Sequence, residues 1–128
     1  MHVKPTISSE DRAVKSAALT LEKKALNVKI LDIRGISSIA DYLVIATGTS
    51  DKQVQAIAES VRSGLKKYGK AIDVEGKKEG KWIVIDYGDV IVHIFIEELR
   101  RYYNLDELWQ MATEVKIPEE YKWEHREQ

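Results

Sequence analysis

Two groups of residues have the types and spacing that nucleotide chemistry requires. Gly48-Thr49-Ser50 stands between an apolar strand pattern and a capped helix pattern, where free backbone N–H groups could hold a phosphate. Asp73 and Glu75 alternate on one face of a predicted strand, as paired metal-binding carboxylates do. No Gly-Lys-Ser/Thr or Gly-x-Gly-x-x-Gly motif accompanies them, and one carboxylate pair is a poor set for two-metal catalysis. A plain helix cap and a solvated strand face are the simpler interpretations.

His93 lies within an apolar strand pattern, in a chain that has no cysteine. With no second histidine close by in the sequence, a metal site there is poorly supported. The absence of a Gly-x-Ser-x-Gly sequence argues against a serine hydrolase. We expect His93 to be partly buried or to belong to a protein interface.

Trp82 follows a polar hairpin sequence and begins a predicted strand. Acidic residues surround it in the sequence: Glu75, Glu79, Asp86 and Asp89. A tryptophan buries a large area with few rotatable bonds, and carboxylates around it would suit a basic protein partner. Packing of Trp82 in the domain's own core is an equally good interpretation. For Tyr102, Tyr103 and Trp109, core packing is the favoured one.

The elements that must position these residues follow from hydrophobic periodicity. Ser8 or Ser9 can cap a first helix, and Ser50 with Gln53 forms a capping box for a second. The patterns predict helices over 8–24 and 50–69, strands over 28–33, 42–47, 71–75, 82–86 and 90–96, and a short helix over 97–103. The order predicts an α/β fold with a mixed sheet of about five strands flanked by helices.

One domain is predicted over 1–111, followed by a loosely packed, charged tail over 112–128. The apolar strand 90–96 could be an inner strand or an edge of the sheet. If it were an edge, it could pair across a symmetric homodimer.

Composition excludes several classes of protein. The chain has 128 residues and a formal net charge of −1, which argues against a bulk nucleic-acid binder. No apolar run approaches the ~20 residues that span a bilayer, and no cysteine is present for disulfides or thiolate chemistry. The charge is uneven: residues 1–70 hold 12 Lys/Arg and 7 Asp/Glu, whereas residues 71–128 hold 8 and 14. An intracellular protein with an acidic second half is the expectation.

Two separated motifs resemble the ribosomal silencing factor family, also called the RsfS or Iojap family. The first is DYLVIATGTS at residues 41–50, followed by Ala56-Ile57-Ala58. The second starts at Glu75-Gly76, continues through Gly80 and Trp82, and ends in DYGDVIVHIF at residues 86–95. The closing pattern of the family is matched by Arg100, Tyr103, Leu105, Leu108 and Trp109.

The resemblance implies a bacterial cytoplasmic protein, or an organelle counterpart, that is not an enzyme and needs no cofactor or metal. It implies binding to the large ribosomal subunit through ribosomal protein L-fourteen, which would block joining of the small subunit and repress translation in starvation. It also implies a fold distantly like the nucleotidyltransferases without their catalytic residues. A role in large-subunit assembly is the alternative, and a nucleotidyltransferase-like enzyme is a more distant one.

The family's ribosome contact corresponds here to the stretch from Trp82 to Asp89 and nearby residues of the sheet. We expect one face, centred on Trp82, Asp86, Tyr87 and Asp89, to dock on the ribosomal protein. The full set expected to bind the partner is Glu75, Trp82, Ile83, Val84, Asp86, Tyr87, Asp89 and His93.

Overall fold

The computed structural model describes residues 6–121, which form one mixed β-sheet with helices packed on its two faces. The helices are α1 (Ser9–Glu22), α2 (Asp51–Leu65), α3 (Glu97–Tyr103) and α4 (Leu105–Leu108), with 3₁₀ turns at Lys66–Tyr68 and Glu119–Tyr121. The strands are β1 (Leu26–Asp32), β2 (Tyr42–Gly48), β3 (Asp73–Glu75), β4 (Trp82–Asp86), β5 (Val90–Ile96) and β6 (Thr113–Val115). Within this part of the chain, no helix has the length and apolar character needed to cross a membrane.

Both long helices begin where their capping residues predict. The Ser8 hydroxyl accepts the backbone N–H of Asp11, and the Ser50 hydroxyl accepts that of Gln53. Each bond satisfies an N–H group that has no partner within its helix. The predicted helix starts are therefore set by local chemistry.

The sheet has six strands in the order β3-β4-β5-β2-β1-β6. Among the described strands, β2 and β5 pair in parallel and the other neighbouring pairs are antiparallel. The predicted mixed α/β fold is confirmed, with one strand more than the sequence indicates. Because β5 lies inside the sheet, it has no free edge through which a second copy could pair.

Side chains on the two faces of the sheet pack into two separate cores. On one face, α1 and α2 cover Val44, Ala46, Ile83, Ile85 and other apolar residues of the strands. On the opposite face, the segment from α3 through α4 covers Leu31, Leu43, Ile45 and Phe95. All seven residues of β2 are buried, as expected for a strand covered on both faces.

The prediction of a loose tail from residue 112 is wrong for residues 113–121. Thr113–Val115 pairs antiparallel with β1, Ile117 is buried, and Tyr121 packs against the core beneath α1 and α2. The charged, proline-containing sequence does not predict this packing, because a three-residue edge strand has no measurable hydrophobic periodicity. Residues 122–128, the rest of the predicted tail, lie outside the described residues.

Arg100 is the one buried charged side chain within residues 6–121. Its guanidinium donates to both carboxylate oxygens of Asp106 at 3.1 and 2.9 Å, to the Thr47 hydroxyl at 2.8 Å, and to the carbonyl of Asn27. The Arg100 bonds lower the pKa of Asp106. Since a buried cation needs every donor occupied, this network fastens α3 and α4 to the ends of β1 and β2.

Gly76 offers a test of the hairpin that carries Trp82. At Gly76, φ is +87° and an added Cβ would overlap the Trp82 carbonyl oxygen, whereas at Gly35 φ is +80° and nothing lies within 4 Å. We expect Gly76→Ala to lower the free energy of unfolding by roughly 2–4 kcal/mol and Gly35→Ala by only about 1 kcal/mol. Urea unfolding of both variants measures the difference, and equal losses would contradict the close approach at Gly76.

Candidate protein-binding face

Strand alternation divides the residues expected to bind a partner between the two faces of the sheet. Trp82 packs with the core under α3 and α4, whereas Ile83 belongs to the core under α1 and α2. Ile83 is 0% exposed, so it supports the sheet from within. The expectation of one face shared by Trp82, Asp86, Tyr87 and Asp89 is wrong in its geometry. Tyr87 packs in the core under α1 and α2 and Asp89 pairs with Arg12 of α1, on the other side of the sheet from Trp82.

A smaller group of the singled-out residues does share one surface, near the β3 edge of the sheet. The register places Glu75 beside Val84, Val84 beside His93, and Asp73 beside Asp86. We call this surface the β3–β5 face, formed by Asp73, Glu75, Trp82, Val84, Asp86 and His93. It contains four of the acidic and aromatic side chains that sequence reasoning singled out, together with Val84 and His93.

Three carboxylates lie along the β3 edge of the β3–β5 face, and two of them, Asp73 and Glu75, form a like-charge pair. Asp73 and Glu75 are both exposed, and the pKa of Glu75 is raised by a hydrogen bond with the Asp73 carboxyl and by the charge of that group. Asp86 lies beside Asp73 across the strands, and its Oδ1 also accepts the backbone N–H of Gly88 at 2.7 Å. Three carboxylates on one edge favour an approaching cationic surface.

Trp82 both packs in the domain and reaches its surface. Its ring stacks on buried Phe95 with 4.9 Å between centroids and contacts the Tyr103 ring at 4.7 Å. Trp82 is partly exposed, while Tyr103 and Tyr102 are 48% and 78% exposed. Trp82 therefore packs in the domain's own core and is also partly available for contact with a partner. Core packing was the wrong expectation for the tyrosines, because α3 turns them outward beside Trp82.

His93 is a neutral acceptor beneath this aromatic cluster. The Trp82 Nε1–H group donates to His93 Nδ1 at 3.1 Å, which leaves the ring proton of neutral His93 on Nε2. Burial lowers the pKa of His93 to about 4. At neutral pH His93 therefore holds the indole in place and adds no positive charge to the acidic face.

Tyr87 and Asp89 lie on the helix side and hold α1 against the sheet. The Arg12 Nε lies 3.0 and 3.2 Å from the Asp89 carboxylate oxygens, and its guanidinium carbon lies 5.5 Å from the Tyr87 ring centroid. Burial raises the pKa of Tyr87 to about 12. The Asp89 carbonyl accepts the N–H groups of Asp41 and Tyr42. In this arrangement both residues fix the turn between β4 and β5.

The turn before α2 has the geometry of a helix cap. The Gln53 side-chain oxygen accepts both the N–H and the hydroxyl of Thr49, at 2.6 and 2.8 Å. Gly48 leaves room for α2, since an added Cβ would lie 2.8 Å from a Val54 methyl carbon. The N–H and hydroxyl of Thr49 and the N–H of Gln53 are therefore used within the turn. Among residues 6–121, moreover, no group of three or more His, Cys, Asp or Glu side chains could hold a metal ion.

The buried imidazole predicts a pH dependence of stability. The pKa of His93 lies near 4 in the folded chain and near 6.5 when exposed, so the unfolded chain takes up the proton first. We expect the free energy of unfolding to fall as pH decreases from about 6.5 to about 4, by up to ~3 kcal/mol from this group. Urea unfolding across this range should show a shallower dependence for His93→Gln, whose side-chain oxygen can still accept from Trp82. Parallel curves would contradict the assignment.

Comparison with known proteins identifies the group to which this chain is related. A family model described as "Ribosomal silencing factor during starvation" matches residues 6–128. The ribosomal silencing factor RsfS of Bacillus subtilis is 44% identical over 95 residues, covering 73% of this chain and 80% of the relative. The chloroplastic protein Iojap of Zea mays is 32% identical over 121 residues, covering 89% of this chain and 53% of the relative.

Solved structures agree with this relationship. A crystal structure of a Chromobacterium violaceum protein matches with a TM-score of 0.79 and 28% identity, covering 88% of this chain and 93% of the other. A Bacillus halodurans protein matches with a TM-score of 0.70 and 38% identity, covering 84% and 96% of the two chains. The architecture and the sequence motifs thus lead to one conclusion: this chain belongs to the RsfS family of ribosomal silencing factors.

Proposed function

We propose that this protein binds the large ribosomal subunit in the cytoplasm through ribosomal protein L-fourteen and prevents the small subunit from joining. Translation is thereby repressed when nutrients are scarce. Support comes from the family, whose members are named ribosomal silencing factors. Regulation of this kind requires a docking surface and a bulky body, and it requires no reaction.

The observation that carries the proposal is the chemistry of the β3–β5 face. Trp82 presents part of a rigid aromatic ring, and Asp73, Glu75 and Asp86 lie on the same side of the neighbouring strands. Tryptophan is enriched among the residues that dominate binding energy, and carboxylates around it select a basic partner. Proteins that lie among ribosomal RNA are commonly basic, so the two surfaces are complementary.

Each residue of the expected set has a distinct role in this mechanism. Trp82 and Val84 supply apolar contact, while Glu75 and Asp86 supply charge. His93 orients the Trp82 ring through its 3.1 Å hydrogen bond. The other three residues support this face from the opposite side of the sheet. Ile83 fills the core under the strand, and Tyr87 and Asp89 fix the adjoining turn.

Steric exclusion is the proposed mechanism, and the layered fold supports it. With the β3–β5 face against the ribosomal protein, the outer surfaces of α1 and α2 point away from that protein, while the end of α2 beside β3 stays near the edge of the docking site. Those helices then occupy space that the small subunit needs. The test is sucrose-gradient sedimentation of purified subunits: the protein should migrate with the large subunit and reduce the fraction of joined ribosomes. Migration with neither subunit would overturn the proposal.

Glu75 gives a cleaner probe of the docking face than Trp82. Trp82→Ala would remove the ring stacked on Phe95 and so alter folding and binding together. Glu75 is exposed on edge strand β3, and Glu114 is exposed on β6 at the other edge of the sheet. Both lie on the same side, since Glu75 is beside Val84 and Glu114 is beside Leu31 of the core under α3 and α4.

We therefore expect Glu75→Lys to weaken binding to the large subunit by roughly tenfold, because it places a cation against a basic partner. Glu114→Lys, with the same change of charge, should bind as the unaltered protein does. Titration of labelled protein into purified large subunits measures both affinities. Equal binding by the two variants would place the docking surface elsewhere.

A further inference from the structure

A second charged surface lies at the end of α2, away from the β3–β5 face. We call it the basic surface, formed by Lys15, Arg62, Lys66, Lys67 and Lys70. The segment from Arg62 to Lys70 contains four of these cations and no carboxylate. The basic surface begins in the last turn of α2 and continues through the 3₁₀ turn Lys66–Tyr68, with Lys15 added from α1.

The charges of this surface are largely uncompensated. Within residues 6–121, Arg62 makes one ion pair, at 3.4 Å with Glu59, and no ion pair involves Lys66, Lys67 or Lys70. These three lysines are exposed. The Nζ atoms of Lys15 and Lys67 lie 5.8 and 5.3 Å from the centroid of one ring, that of Tyr68. Like charges gathered in this way oppose one another until an anion approaches.

The basic surface also has a cleft that suits phosphate groups. A depression of about 330 Å³ is lined by Arg62, Lys66 and Lys70, with the Ser63 hydroxyl beside them. Glu59 lies at the same cleft, where its carboxylate accepts hydrogen bonds from Arg62 and Ser63. Ala71, Val74 and Tyr87 complete the lining of the cleft. The guanidinium and ammonium groups that line it are donors of the kind that phosphate oxygens accept.

The cleft lies beside the β3–β5 face, at the same edge of the sheet. Val74 belongs to β3, the edge strand whose neighbouring side chains Asp73 and Glu75 lie on the β3–β5 face. Strand alternation places Val74 on the helix side of the sheet, where it packs against the core under α1 and α2. One edge of the sheet therefore separates an acidic, aromatic surface from a basic one.

From this arrangement we infer that the basic surface contacts the phosphate backbone of ribosomal RNA beside the protein docking site on the large subunit. The inference rests on the proposed function, since it names a second component of the same partner. Such a contact depends on the charge of the phosphates and does not depend on the base sequence. Docking then uses two complementary pairs of surfaces: acidic against basic protein, and basic against RNA.

The test compares two double variants that remove the same charge. Lys66→Gln with Lys70→Gln alters the cleft, and Lys52→Gln with Lys116→Gln alters exposed lysines outside it. On purified large subunits, the cleft variant should bind roughly tenfold more weakly at 100 mM salt. The slope of log affinity against log salt concentration should also become shallower by about 2. The control pair should keep the affinity and the slope of the unaltered protein.

Separate probes distinguish this inference from the proposed function. The isolated basic ribosomal protein should bind the cleft variant and the unaltered protein equally, whereas protein-free large-subunit RNA at low salt should bind the cleft variant more weakly. If the unaltered protein fails to bind the subunit, the proposed function is wrong and the inference that rests on it fails as well. Equal binding of both double variants to subunits and to RNA would overturn the RNA contact. Matching thermal unfolding curves would show that the fold is retained.

Discussion

The parallel pairing of β2 with β5 is the constraint from which the rest of the structure follows. Parallel neighbours need a long connection, and here α2 and the β3–β4 hairpin lie between them in the chain. The central pair is covered on both faces, by α1 and α2 on one side and by the α3–α4 segment on the other. The hairpin is left at the edge of the sheet, where the Trp82 ring contacts Tyr103 of α3. The exposure of the β3–β5 face is thus a consequence of burying the centre.

Trp82 both packs on the core and reaches the surface at that edge. Stacking on Phe95 and the hydrogen bond to His93 hold the ring in one orientation before any partner arrives. A side chain that is already ordered loses little rotational freedom on binding, which favours affinity. Neutral His93 also avoids a buried positive charge beneath an acidic surface. The same contacts that stabilise the fold therefore order the side chain that the proposed function places in the contact.

The sequence predicts the elements of this fold better than it predicts the site. Ser8, Ser50 and the apolar strands are local signals, and they gave the helix starts and the strands β4 and β5 at their observed positions. The face on which Tyr87 and Asp89 lie depends on the turn at Gly88 and on Arg12 of α1, which is remote in sequence. Strand β6 was missed because its partner β1 lies more than eighty positions away in the chain. A strand of three residues is too short to show hydrophobic periodicity, and its sequence does not reveal a distant partner.

The position of β6 has a consequence for the order of folding during synthesis. The first described strand, β1, lies next to the last described strand, Thr113–Val115, so one edge of β1 stays open until nearly all of the described chain has emerged. An unpaired edge with apolar neighbours is a site of mispairing between nascent chains. The three residues of β6 close that edge, and Ile117 then enters the core. A short terminal strand can in this way protect the newly made protein from aggregation.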